Sequence, residues 1–377
     1  MRFLARRADV YLGTLAEEPL EAGSLEALRR LCRCVAIEPL GKSRWPRAVA
    51  GLACGRSATE GLFQSPSLAA TLRTWTNEIE FDAVVVFCSS MGQYLNLPGL
   101  KDVPAVVDLV DVDSQKFFDY AAATRGPKKW LYRLEGRRLR ALECSLAKRA
   151  KAVTLVSEAE ADLFREICPE GNTLGVSNGV DLDYFRPIEA EGRADRCVFV
   201  GALDYRPNIE CIVWFCEHVW PQVRAARPGA TLAVVGRRPD PVVSRLTDMP
   251  GVDVIGQVPD VRPHLAEAQV AVAPLRIARG IQNKVLEAMA AGRPVVTSPQ
   301  ALEGLAAEPG VHLVQAESPR QWTDEILHLM TTPTARRHLA TAARTYVEHH
   351  HSWQACLAPF GDLLNLPAIS PHPVTIA

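Results

Sequence analysis

Apolar positions in this chain come in short uninterrupted runs rather than in alternation. In the second half they are "CVFVGA" (197–202), "ATLAVVG" (230–236), "VDVIG" (252–256), "VAVAP" (270–274), "PVVTS" (294–298) and "VHLVQ" (311–315). Such runs are what strands covered on both faces of a sheet look like. Segments of helical period lie between them, such as Asn208 to Ala226 and Pro259 to Ala268. Strands alternating with helices in this way predict a doubly wound parallel sheet. The first half repeats the theme less regularly, with strand candidates "ADVYLGTL" (8–15), "CVAIEPL" (34–40), "FDAVVVFC" (81–88), "AVVDLVD" (105–111) and "AVTLVS" (152–157). The stretch 171–196 is rich in Gly, Asn, Asp and Pro, and its "NGVD" and "RP" are turn signals that suit a linker. The expected architecture is therefore α/β, with two Rossmann-like doubly wound domains facing across a cleft. Their expected bounds are 1–187 and 188–345, followed by a C-terminal helix and frayed tail over 346–377.

In an open parallel sheet, ligands bind beyond the carboxyl ends of the strands. Three loops of the second half leave strands in that way: "ALDYRPN", "QVPDV" and "LRIARGIQNK". The last is the most telling. Gly280 allows close approach of backbone to a ligand, and the amides of Gly280, Ile281, Gln282 and Asn283 are the unpaired N–H groups of a helix start. Together with the helix dipole they make an anion site. Lys284 falls in the first turn and Glu287 three residues on, so both leave the helix on one face. A diphosphate on the amides and Lys284 would leave Glu287 one turn deeper, able to accept hydrogen bonds from a pair of sugar or ribose hydroxyls. The plainer alternative is an exposed i, i+3 salt bridge. Against it stand Ala288, Ala290, Ala291 and the stop at Gly292, which suggest a closely packed helix. Arg276, Arg279 and Lys284 also crowd the positive end of the dipole, where cations are disfavoured unless an anion is bound.

Composition narrows the picture. Lys plus Arg is 42 against Asp plus Glu at 43, so bulk charge points to no particular partner and gives no reason to expect nucleic acid. No apolar run reaches membrane-spanning length, and "MRFLARRADVYLGTL" lacks the apolar core of a signal peptide, so the cytoplasm is the expected compartment. The 10 cysteines are scattered without paired C-x-x-C units, which predicts small buried hydrophobes and no metal site. One region departs from the average. Arg125 to Lys151 holds ten Lys or Arg against two Glu, with Leu131, Leu134, Leu139, Leu142 and Leu146 at helical spacing and Trp130 at the start. That is an amphipathic helix with a cationic face. Either its leucines face the domain core and its cations are solvated, or it docks on an anionic membrane surface.

"NKVLEAMAAGRPVV" resembles the signature of family 4 glycosyltransferases, retaining enzymes of the GT-B fold. "AVTLVSEAEADLF" and "VSNGVDLDYFRP" are similar to the segment leading into the interdomain linker of those enzymes, and "VFVGALDYRPN" to their first donor-domain loop. "VDVIGQVPDVRPHLAEAQVAVAPLR" resembles their nucleobase-side loop and the strand after it. "DLVDVDSQKFFDYA" (108–121) and "YRLEGRRLRALE" (132–143) resemble the sugar transferases of exopolysaccharide clusters associated with the PEP-CTERM/exosortase system.

The resemblance implies a nucleotide-sugar donor on the second half and a glycan or lipid-linked acceptor on the first. It implies that Lys284 and the amides of Gly280, Ile281, Gln282 and Asn283 hold the donor diphosphate. Glu287 would take the ribose hydroxyls, Val258 would lie near the base, and Gly201, Asn208 and Arg276 would line the donor site. Asp108, Asp111, Asp113 and Lys116 are acceptor-side candidates, although "DVDSQK" would equally cap a helix. No cofactor beyond the co-substrate is expected, because fixed cations and amides can stabilise the leaving diphosphate without a metal. Localisation would be cytoplasmic, or peripheral on the inner face of the cytoplasmic membrane. A GT-B nucleotide-sugar epimerase and a catalytically silent nucleotide-sugar-binding or scaffold subunit are the alternatives.

Three departures from the family pattern matter. Arg279 stands where the usual signature keeps the first of two glutamates. The usual cations of the first donor-domain loop are replaced near Ala202 and Pro207. Positive charge is thus expected to have moved to Arg276 and Arg279, the rival being an Arg279 that faces solvent and does nothing. Against the family pattern the first βα unit, about 30 residues by analogy with such units, is expected to be missing from the N-terminal domain, through a misassigned start or a true truncation. Its absence should expose unpaired backbone and apolar side chains.

Overall fold

The computed structural model describes residues 1–20, 23–41, 44–187, 193–277, 281–302 and 304–367. The chain divides into two compact units. One comprises Met1–Val176 together with the chain from Leu357 onward, and the other Ser177–Cys356.

In the first unit, β1 (Tyr11–Ala16), α1 (Ser24–Leu31) and β2 (Cys34–Pro39) are followed by α2 (Ala58–Leu62), α3 (Pro66–Glu78) and β3 (Val84–Phe87). Then come β4 (Ala105–Val110), α4 (Asp113–Ala123), α5 (Pro127–Arg149), β5 (Ala152–Leu155), α6 (Glu158–Ile167) and β6 (Thr173–Gly175). All described pairings are parallel, but they form two sheets: β1–β2 alone, and β3-β4-β5-β6 in sequence order. β4 and β5 are the buried strands, with Val106, Val107 and Val153 almost without exposed surface, as their unbroken apolar runs require. β3 is an edge strand of its sheet, and Val85 and Phe87 on it are exposed. Leu15 of β1, Ala36 of β2 and Val84 of β3 nevertheless pack on one small cluster around Leu68 of α3.

The second unit contains β7 (Arg196–Val200), α7 (Arg206–His218), β8 (Thr231–Val235), β9 (Val252–Gly256), α8 (Arg262–Glu267), β10 (Val270–Ala273), α9 (Asn283–Ala290), β11 (Val295–Thr297) and β12 (Val314–Gln315). Two further helices follow, α10 (Pro319–Thr331) and α11 (Pro333–His350). The strands make one parallel sheet in the order β12-β11-β10-β7-β8-β9. Its core holds Phe199, Phe215, Trp220 and Trp322, each at most 1% exposed.

Three expectations shift. The helix expected over 208–226 breaks at Val219, because Pro221 has no N–H and starts a separate short helix, Trp220–Ala226. The helix expected from Pro259 starts at Arg262. The boundary expected at 187 is met at Val176/Ser177: β6 lies inside the presumed linker stretch, and the chain from Ser177 already belongs to the second unit. His351 explains part of this, since Val180 N donates to its carbonyl and its ring bonds Asn178 and Tyr346. The cysteines are mostly buried hydrophobes, as at Cys197, Cys211 and Cys216, but Cys144 of α5 and Cys168 after α6 form a disulfide that nothing in their spacing announced.

Candidate functional site

The strand order of the second unit reverses at β7, which lies between β10 and β8. Helices leaving on opposite faces there open a crevice at the strand ends. The loop after β7 is laid along the end of β8: Gly201 N donates to the Val235 carbonyl at 3.0 Å and Leu203 N to the Arg237 carbonyl at 3.0 Å. A Cβ on Gly236 would overlap the Gly201 carbonyl oxygen, so the approach requires glycine. Gly236→Ala is expected to cost about 3 kcal/mol of stability, read as a fall in the thermal midpoint. An unchanged midpoint would show that the two loops move apart freely.

α7 carries Pro207 in its first turn and places Asn208 at its start, 5% exposed. Asn208 Nδ2 donates to the Ala202 carbonyl at 2.9 Å, which fixes the amide's orientation. Its Oδ1 is thereby aimed at α9 and accepts from Lys284 Nζ at 2.5 Å. The Lys284 ammonium also lies 5.0 Å from the Phe199 ring centroid. A Cβ on Gly201 would stand 3.0 Å from Asn208 Nδ2 and 3.3 Å from Lys284 Nζ. Gly201, Asn208 and Lys284 thus form one packed group at the end of β7.

Lys284 bonds Asn208 rather than Glu287, so the pair is not a surface salt bridge. Burial holds the Lys284 ammonium below its usual range. Burial also pushes the Glu287 carboxyl up to about 7, against the pull of the Lys284 charge. Each charge acts on the other and Asn208 bonds the ammonium, but burial outweighs both, and a ligand bearing an anion beside hydroxyls would favour the two ionised forms. Gln282 stands at the N-cap of α9 without a side-chain cap to the helix amides. Ile281 is buried in the core, while Asn283 is exposed and its Oδ1 accepts from Asn178 Nδ2 at 3.3 Å.

The remaining donor-side candidates separate. Arg279 and Gly280 lie outside the described residues. Arg276 is exposed and its guanidinium sits 5.9 Å from the Trp214 ring centroid on α7, within cation–π range. Charge was expected to move to Arg276 and Arg279; among the described residues Lys284 reaches the loop of Ala202 through Asn208, and Arg238 reaches it at Asp204. Val258 packs against the sheet's core beyond β9. Sequence reasoning missed Arg237 and Arg238, exposed at the carboxyl end of β8, with Arg238 at φ 52° and 3.8 Å from Asp204. The signal was present, since "RR" directly follows the buried run "LAVVG".

In the first unit, the carboxyl ends of β3 and β4 lie side by side and both turn through strained backbone. Cys88 adopts φ 63° and Val110 φ 68°, a rare conformation for a β-branched residue. Asp108 accepts from Thr154 Oγ1 at 3.0 Å and from Val110 N at 3.3 Å, and burial raises its pKa. Lys116 Nζ donates to Asp111 at 2.8 Å and Asp113 at 3.2 Å, and Ser89 Oγ donates to Asp113 at 3.2 Å. Burial pulls the Lys116 ammonium down, but those carboxylates outweigh it and leave the pKa raised. The capping alternative for "DVDSQK" does not hold. Val112 N donates to Glu160 and Ser114 N to Glu143, so carboxylates from α6 and α5 satisfy the start of α4 and leave Asp111 and Asp113 to Lys116.

Comparisons with known proteins bear on the two units as folds. Residues 4–179 match the family described as glycosyl transferase 4-like domain, and residues 194–332 the family described as glycosyl transferases group 1. No curated relative matches the chain. Among solved structures it is similar to Anabaena HepE in complex with UDP, with 14% identity, a TM-score of 0.64, and 93% of this chain and 91% of that one covered. A glycosyltransferase from Rickettsia africae matches with 12% identity and a TM-score of 0.63, covering 95% of this chain and 98% of that one. Sucrose-phosphate synthase from Thermosynechococcus elongatus matches with 18% identity and a TM-score of 0.61, covering 80% and 77%. These likenesses establish the fold: two Rossmann-like halves of the GT-B type.

Proposed function

We infer that this chain, a glycosyltransferase of the GT4 type, moves a sugar from a nucleotide-sugar to a glycan or lipid-linked acceptor with retention at the anomeric carbon. The observation that carries this is the Lys284 ammonium, half-buried, in no ion pair with a carboxylate among the described residues and held by Asn208 at the end of β7, where burial outweighs the pull of Glu287. In this reading the donor diphosphate lies on Lys284 and the first amides of α9, Glu287 accepts from the ribose hydroxyls, and Val258 borders the base. The UDP in the HepE complex supports a nucleotide-sugar donor. Asp108, Asp111, Asp113 and Lys116 present the acceptor hydroxyl. As its oxygen bonds to the anomeric carbon, the bond from that carbon to the diphosphate oxygen breaks. The electron pair and the hydroxyl proton pass to the diphosphate, whose growing charge Lys284 and the amides stabilise. No resident metal is needed for this.

The sequence resemblance supports a place in exopolysaccharide assembly. No described helix is long and apolar enough to cross a membrane, and we place the enzyme in the cytoplasm, peripheral on the inner membrane face through the region 125–151. The test is a screen of nucleotide-sugars against purified chain, with the anomeric configuration of the product read by NMR. Transfer with retention supports the reading. Nucleotide binding without transfer would replace it with a silent binding subunit, and conversion of the donor alone with an epimerase.

A further inference from the structure

The basic helix divides in two. Leu139 and Leu146 are buried in the first unit, and Glu135, Gly136 and Glu143 complete the same inward stripe, so most of α5 is an ordinary packed helix. Leu131 continues that stripe one turn toward the N-terminus, yet it is 45% exposed, and Trp130 beside it is 67% exposed. α4 and α5 meet through aromatic rings: Phe117 and Tyr120 of α4 and Tyr132 of α5 pack edge-on or tilted with centroids 5.9–6.2 Å apart.

We propose that this α4–α5 corner docks on an anionic lipid bilayer, with Trp130 and Leu131 entering the headgroup region. Charge complementarity selects that occupant. Along α5, Lys128 stands one turn before Leu131 and Arg133 one turn after Trp130, with Arg125 just before the helix and Arg137 a turn further on, all exposed and, among the described residues, in no ion pair. The one acidic residue of this stretch, Glu135, is buried and consumed by the amides of Ala58 and Thr59 at the start of α2. The chain as a whole carries a formal net charge of -1, so the cationic corner is a local device. A nucleic acid would match the cations but not Leu131, whereas an exposed indole beside an exposed aliphatic side chain, on a helix start rich in cations, suits the boundary between headgroups and acyl chains. The inference rests on the reading above only for the acceptor's whereabouts, and it is tested without donor or turnover.

Full-length protein is sedimented with phosphatidylcholine vesicles and with vesicles also containing phosphatidylglycerol. Binding is expected only to the latter, weakening when salt is raised as surface charges are screened. Trp130→Ser with Leu131→Ser should lower partitioning at least tenfold with an unchanged thermal midpoint. Lys128→Gln should lower it about fivefold, the expected share of one cation near an anionic surface. Brominated acyl chains should quench wild-type tryptophan fluorescence and lose most of that effect on Trp130→Phe. Equal binding to both vesicle types, or undiminished binding by the Trp130/Leu131 variant, overturns the proposal. So does a wild-type dimer that the double variant disperses without lipid, which would assign the corner to a second copy. Wild-type protein that binds neither vesicle type while transferase activity is intact would sink the docking inference alone.

Discussion

Replacing Lys284 with alanine is expected to lower kcat/KM about 10²–10³-fold, the usual effect of removing one group that stabilises charge in a transition state, while the fold survives. The ammonium is half-buried against Phe199 and Asn208, and the pull of Glu287 does not offset its desolvation, so the folded chain gains little from it. Burying a cation costs free energy that its own neighbours do not return. The thermal midpoint of the nucleotide-free variant should therefore equal or exceed that of the wild type, the pattern of a residue kept for activity at the expense of stability. Asn208 retains its bond to the Ala202 carbonyl in the variant, so the loop after β7 stays in place. Unchanged turnover, or a marked loss of stability with normal turnover, would assign Lys284 to structure and remove the diphosphate reading.

Donor affinity should rise with pH through about 7, and Glu287→Gln should remove that dependence. The Glu287 carboxyl is pushed up to about 7 in the nucleotide-free chain, by burial first and against the Lys284 charge. Ribose hydroxyls donate best to the carboxylate, so binding must expel the proton. Below pH 7 each unit then weakens binding by up to about tenfold. The stability of the nucleotide-free chain runs the other way. Its folded pKa lies above the ordinary 4.5, so the contribution of Glu287 is fully present below 4.5 and is lost as pH rises through about 7. Calorimetric titration with a nucleoside diphosphate at pH 6, 7 and 8, in buffers of different ionisation heat, measures both the affinity and the proton released. Wild-type affinity that stays level with pH, or the same slope in Glu287→Gln, would exclude Glu287 as the hydroxyl acceptor.

The quoted apolar runs became strands because the pattern read in the sequence and the burial seen in the sheets are one physical fact, an apolar strand covered on both faces. β6 escaped because Thr173–Gly175 is too short and too polar to stand out. The break at Val219 was legible in Pro221, but the helical period on either side masked it. Lys284 and Glu287 were readable as a pair because one turn of helix fixes their relation locally. What Lys284 bonds was not readable. Asn208 lies 76 residues away on another helix, and no periodicity links the two. Arg276 looked like a member of the same cationic group until Trp214 of α7 took it. Asp111 and Asp113 looked like caps until Glu143 and Glu160 arrived from distant helices. By itself the sequence determined which segments are strands and helices, and that Lys284 and Glu287 leave one helix start together, because both follow from residue type and local spacing. Only the tertiary structure decided which side chains are buried together, because desolvation and pairing depend on neighbours that the chain brings from far along its length.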